Sequence, residues 1–198
     1  METRLAENEN SDDNQRRRNH LGSPVISGCL SRETPKSHRM EIMILTATEA
    51  DGPQIQEITA RAGVFSQEEV ECVAALWAEY LTEGPEICGY NFIAHRDGGR
   101  VLGFACYGPR DLTQGVFDLY WIAVDPNARR SGVGRGLLTA SEEAVRKAGG
   151  RMLIAETSGT TPYDATRNFY LDMGYTMEAS IRDFYTEGDD LAIFIKRF

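Results

Sequence analysis

The sequence predicts a mixed α/β domain over residues 41–198, behind a polar tail over residues 1–40. Three observations predict it. Apolar residues recur with period two in some segments and with helical spacing in others, and the two kinds interleave along the chain. A glycine-rich run, Gly132-Val133-Gly134-Arg135-Gly136, lies between a strand-like segment and a helix-like one. A chain of 198 residues with ordinary apolar and charged fractions suits one domain on one core.

Residues 1–40 are rich in Asn, Ser, Asp, Glu and Arg and hold few large apolar side chains. They cannot bury enough surface to offset the entropy of ordering, so they read as disordered. Arg16-Arg17-Arg18, near Asp12 and Asp13, reads as a solvated charge run. Residues 41–45 read as a short strand. Ile55, Ile58 and Ala62 have helical spacing, and Gly63 can end that helix. Ser66-Gln67-Glu68-Glu69 is a capping box. The helix after it places Val70, Val73, Ala74, Trp77 and Leu81 on one face until Gly84-Pro85 stops it. Residues 90–96 and 100–107 are strands of a hairpin turning at Asp97-Gly98-Gly99. A polar turn over 109–115 leads to residues 116–124, a nearly unbroken apolar strand with one acid, Asp118. The glycine run then opens a helix that buries Leu137, Leu138, Ser141, Ala144, Val145 and Ala148 and ends at Gly149-Gly150. Residues 152–157 are a strand. Thr161-Pro162 reads as an N-cap followed by a first-turn proline, opening a helix to about Met173. Residues 175–185 and 191–196 form a last hairpin.

Net charge is −9, spread unevenly. Residues 1–40 carry seven basic and six acidic side chains, against fourteen and twenty-four in residues 41–198. An acidic domain repels phosphates, so nucleic acid is not an expected partner, whereas a cationic substrate is. The simpler reading is that the charge only maintains solubility. No apolar run approaches the ~18 residues a membrane span needs, and no signal-like segment opens the chain. A cytoplasmic protein without membrane contact is therefore expected. Cys29, Cys72, Cys88 and Cys106 are scattered with no Cys-x-x-Cys pair, as expected of reduced thiols. His95 stands alone on a strand and His20 and His38 lie in the tail, so no metal site is expected.

The glycine run carries the most chemistry. Glycines let a backbone come close to a ligand. The first amides of the following helix lack intrahelical partners and sit at the positive end of its dipole, so strand, loop and helix together make an anion site. Arg129, Arg130 and Arg135 gather there in an otherwise acidic domain, which argues for a bound phosphate or diphosphate. The run has neither the Gly-Lys-Ser/Thr of a Walker A loop nor the Gly-x-Gly-x-x-Gly spacing of a dinucleotide fold.

Arg129-x-x-Gly132-x-Gly134 resembles the diphosphate signature of the GNAT acetyltransferase superfamily. Ile122-Ala123-Val124-Asp125-Pro126 resembles the end of that family's fourth strand, and Asn168-Phe169-Tyr170-x-x-x-Gly174-Tyr175 resembles its late helix end. The likeness covers roughly residues 41–198. It implies a mostly antiparallel central sheet whose fourth and fifth strands splay apart, with helices on both faces. It also implies acetyl-CoA as co-substrate and direct attack by an amine in a ternary complex.

The same resemblance implies roles. Backbone groups of Ile122, Ala123 and Val124 would hold the pantetheine arm. Arg129, Arg130, Ser131, Gly132, Val133, Gly134 and Arg135 would line the diphosphate. Tyr170 matches the tyrosine that protonates the departing thiolate, the alternative being a core tyrosine, although Phe169 has the better core spacing. Asp118 lies where some members carry a glutamate base. On a period-two strand it shares a face with Tyr120, Ile122 and Val124, and its alternatives are an ion pair with an arginine or a contact to the substrate ammonium. Tyr163 stands where many members have a CoA-contacting asparagine, and Arg167 could supply that contact instead. Tyr120, Glu156 and Tyr185 are the candidate acceptor contacts. The acceptor reads as a small or amino-acid-like amine, with a protein N-terminus or lysine as the alternative and a non-catalytic acetyl-CoA-binding module as a third reading. A monomer or a homodimer fits equally.

Overall fold

The computed structural model describes residues 43–198. The expectation for residues 1–40, and the first two residues of the first strand, fall outside that range. The elements are β1 (Met43–Thr46), α1 (Gly52–Arg61), α2 (Gln67–Glu83), α3 (Pro85–Cys88), β2 (Asn91–Asp97), β3 (Arg100–Pro109), β4 (Val116–Val124), α4 (Val133–Lys147), β5 (Met152–Ser158), α5 (Asp164–Asp172), β6 (Thr176–Thr186) and β7 (Asp189–Arg197). Apart from the one-turn α3, this is the expected order. One seven-stranded sheet runs β1-β2-β3-β4-β5-β7-β6. Every neighbouring pair is antiparallel except β4–β5, which is parallel. Among the described residues, no helix is long and apolar enough to cross a membrane.

Both faces of the sheet are covered. Ile55 and Ile58 of α1 and Val73, Trp77 and Tyr80 of α2 pack on Phe92 and Phe104 on one face. Leu137, Leu138 and Val145 of α4, with Tyr170 and Met173 of the α5 end, pack on Leu119, Leu153, Ala155 and Phe194 on the other. Truncating a fully buried leucine such as Leu137 would cost about 2–5 kcal/mol.

The capping box forms as read: the Glu69 amide donates to Ser66 Oγ at 3.2 Å, and Glu69 Oε2 accepts the Ser66 amide at 2.7 Å. Four helix readings are corrected. Ala148, expected on the buried face, lies exposed just past the end of α4. On α2 the inward residue is Tyr80, at i+7 from Val73, while Leu81 is 42% exposed. The Tyr80 hydroxyl donates to the Ala47 carbonyl at 2.9 Å, which satisfies its polar end inside the core. Thr161-Pro162 opens a 3₁₀ turn, and α5 begins only at Asp164. On α5 it is Tyr170 that is buried, while Phe169 is only partly covered.

An ion pair joins the turn before α1 to the sheet. Arg96 of β2 grips Asp51 with two guanidinium nitrogens, Nε donating to Oδ1 at 2.8 Å. On α4, Glu142 is buried and accepts Lys196 of β7 at 2.8 and 2.9 Å. Lys196 also donates to the Met173 carbonyl at 2.8 Å, fixing the chain just past α5.

Candidate functional site

The site begins where β4 and β5 part. They pair only from Val116–Leu119 against Met152–Ala155. Beyond that, β4 continues to Val124 along β3 and β5 continues to Ser158 along β7. The facing edges of 120–124 and 156–158 are left unpaired, and unpaired backbone amides and carbonyls call for a partner.

A bulge aims the β4 side chains. Cys106 pairs with Trp121 and Tyr107 with Leu119, so Tyr120 is the extra residue. Phe117 and Leu119 before the bulge, and Ile122 and Val124 after it, all pack toward α4 and α5. Trp121 and Ala123 pack toward α1 and α2. The expectation that Asp118 shares a face with Ile122 and Val124 is therefore corrected. The bulge shifts the phase by one residue and leaves Asp118 on the opposite face. Glu156 follows by alternation, because Leu153 and Ala155 face α4 and α5.

Asp118 and Glu156 thus share a face, and Arg110 joins them. Its Nε lies 3.1 Å from Asp118 Oδ2 and its Nη2 lies 3.1 Å from Glu156 Oε1. Burial pushes the Asp118 carboxyl above its ordinary value; Arg110 opposes this and Glu156 adds to it. Sequence reasoning passed over Arg110 as part of a polar turn. The available signal was the lone acid Asp118 in an apolar strand, which needs a cation when buried. Tyr120 packs edge-on against Tyr90, and burial, then Asp118, push its phenol up to about 12. Tyr185 is half exposed; burial raises its phenol, and Glu156, Asp189 and Glu69 add to the effect.

Tyr170 lies on the other face. Only 4% of its surface remains accessible. Its ring packs against Phe169, Tyr175 and Phe194. Burial holds its phenol well above the ordinary tyrosine range, so it stays protonated at neutral pH.

The glycine loop follows β4. Asp125 is buried, accepts the Asn127 amide at 2.9 Å, and pairs with Arg100 at 2.6 Å. The Asn127 amide, then Arg100, hold its carboxyl below the ordinary value. Gly132 caps α4 at φ 89°, a conformation that side chains resist. Gly136 is the first residue whose amide finds a helical partner, Gly132 O at 2.9 Å, so the amides of Val133, Gly134 and Arg135 are left over. A Cβ at Gly134 would lie 3.6 Å from Val124 and 3.8 Å from Phe169. Arg130 and Arg135 are exposed beside these amides, and the Ser131 hydroxyl donates to Ala128 O at 2.6 Å.

Two expected cofactor side chains are engaged elsewhere. The Arg129 guanidinium donates to Ala62 O, at the end of α1, at 2.5 Å. Arg167 donates to Ser158 O at 2.6 Å and Thr160 O at 2.8 Å and pairs with Asp164, binding the β5–α5 connection to itself. Tyr163 donates to Val64 O at 2.9 Å, and Phe65 sits edge-on to Trp121. The α1–α2 loop is therefore tied to β4, to the glycine loop and to the start of α5.

A family model described as the acetyltransferase (GNAT) family matches residues 53–175. Among solved structures, a protein from Desulfovibrio desulfuricans assigned to the GNAT family is 38% identical, with a TM-score of 0.76, covering 79% of this chain and 98% of that one. The ribosomal-protein-S18-alanine N-acetyltransferase of Escherichia coli is 23% identical, with a TM-score of 0.63 over 79% of this chain and 93% of that one. The protein yncA of Salmonella typhimurium, solved with acetyl-CoA, is 21% identical, with a TM-score of 0.62 over 79% of this chain and 93% of that one. The last two are likenesses of fold. No curated protein matches.

Proposed function

The chain belongs to the GNAT acetyltransferase family, and from that premise we propose that it transfers the acetyl group of acetyl-CoA to a primary amine of a cationic acceptor. One observation supports the reading: β4 and β5 part after Leu119 and Ala155, and Asp118 and Glu156 sit together where they part, bridged by Arg110; Tyr170, protonated and packed in the core of the opposite face, is the acid we assign to the other side. A thioester lying in that gap would meet a base from one side and an acid from the other.

In this reading the pantetheine arm pairs with the free edge of Ile122 and Val124. The diphosphate rests on the amides of Val133, Gly134 and Arg135, with the Arg130 and Arg135 side chains beside it. Arg129 and Arg167 act on the frame of the site, because their guanidinium groups are already engaged. The acceptor enters from the α1/α2 face between Tyr120, Tyr185 and Glu156. Glu156, more accessible than Asp118, takes a proton from its ammonium group. The free amine attacks the thioester carbonyl carbon, the carbon–sulfur bond breaks as Tyr170 gives its proton to the leaving sulfur, and the extra proton on the new amide nitrogen is lost to solvent, from which Tyr170 is reprotonated.

A thiol-release assay over a panel of amines and short peptides tests the activity. A melting experiment tests the cofactor, since acetyl-CoA at a hundredfold excess over its Kd should add ~2–3 kcal/mol of stability. Absence of any shift at millimolar acetyl-CoA would sink the reading.

A further inference from the structure

Arg110 occupies the first position after β3 and is held there by its own turn. Its amide donates to Val116 O at 2.9 Å, and its carbonyl accepts the Thr113 hydroxyl at 2.7 Å. From that fixed root one guanidinium reaches two strands, Asp118 on β4 and Glu156 on β5, each at 3.1 Å. The last paired residues of those strands are Leu119 and Ala155, so the bridge lies where the gap opens. Its two ends differ. The Asp118 side chain is 14% exposed and the Glu156 side chain 37%. Asp118 is the anchor and Glu156 the end that faces solvent. A planar guanidinium donates in two directions at a fixed angle, which an ammonium group cannot do. An ion pair this exposed adds little to stability, so its consequence lies in where it holds Glu156.

Resting on the acetyl-transfer reading above, we propose that Arg110 is a positioning residue: anchored by Asp118, it holds the Glu156 carboxylate in one orientation at the mouth of the gap, ready for the acceptor's proton. The step balances simply. An N–H bond of the acceptor ammonium breaks, an O–H bond forms on Glu156, and the nitrogen lone pair is freed for attack. Arg110 touches none of the reacting atoms. Tyr120 on β4 lies near Asp118 and Tyr185 on β6 lies near Glu156, so a phenol stands beside each end of the bridge.

Arg110→Gln should lower kcat by ~10–10²-fold, with the KM for acetyl-CoA and the acetyl-CoA melting shift unchanged. Arg110→Lys keeps the charge without the two-directional fork and should recover only part of that loss. Arg110→Gln placed on Glu156→Gln should cost no further turnover, because a residue acting through another adds nothing once that other is gone. Full activity in Arg110→Gln, full recovery in Arg110→Lys, or losses that multiply would overturn the proposal. If the wild type releases no CoA with any amine, the acetyl-transfer reading fails, and a crystal structure of Arg110→Gln still decides whether the Glu156 carboxylate keeps its place without Arg110.

Discussion

At the residue scale, the proposed base and acid lie on opposite faces of the sheet, Glu156 beside Asp118 and Arg110, Tyr170 in the core under α4 and α5. Tyr170→Phe keeps the ring among Phe169, Tyr175 and Phe194 and removes only the hydroxyl. Turnover should fall by ~10²–10⁴-fold with acetyl-CoA affinity held, as thiol release and calorimetry would report. A loss of affinity at unchanged turnover would make the hydroxyl a cofactor anchor. Tyr170 and Glu156 could be picked out in the sequence because each sits in a local pattern. Arg110 was not legible in that way. Its partners are eight and forty-six residues away, and only the sheet's topology brings all three together.

At the element scale, the capping box, the hairpins and the glycine run were legible because their signals are local. What escaped was phase and long-range pairing. Period two along β4 misassigned Asp118 because a bulge leaves no mark on an apolar run. Tyr80 was missed in favour of Leu81 because the core here takes i, i+4 and i+7. The glycine loop yields a clean test. A Cβ at Gly134 meets only ordinary contact distances, so Gly134→Ala should fold and still show the acetyl-CoA melting shift. Gly134→Glu adds bulk and negative charge and should abolish that shift. The Asp51–Arg96 pair yields a second. Burial alone would raise the Asp51 carboxyl, but hydrogen bonds from Arg96 and Thr48 together hold it below the ordinary value. Its stabilisation is therefore present above about pH 4 and lost as pH falls through the depressed value. Asp51→Asn strands the guanidinium and should cost ~3–5 kcal/mol at neutral pH in a urea melt, with the gap to wild type closing in acid.

At the scale of the whole molecule, residues 41–198 carry ten more acidic than basic side chains. Such a field draws cations in and slows anions, and salt erases both effects. Raising ionic strength from about 0.01 M to about 0.15 M shortens the screening length from ~30 Å to ~8 Å. With a cationic acceptor, kcat/KM for a diamine should fall more steeply than for a monoamine of equal length. At subsaturating acetyl-CoA, an anion, the trend with salt should reverse. Initial-rate series at several salt concentrations would show both slopes, and a common slope for the two amines would mean that the field does not reach the acceptor.

The extra residue in β4 has a bearing on which changes of chain length this fold can absorb. The two halves of the strand are out of step by one position, and Tyr120 takes up the difference. Deleting it would put them back in step and turn either Phe117 and Leu119 or Ile122 and Val124 away from α4 and α5. One half of the strand would have to give up its hydrogen bonds to β3 or its place in the core. Substitution at Tyr120 is a local event, since its ring lies on the surface beside Tyr90 and Gly108. A shortening by one codon there is a global one. Library selections that permit single-residue deletions should therefore recover few viable clones at 117–124, and many more in the exposed turn at 111–114, where no strand has to keep count.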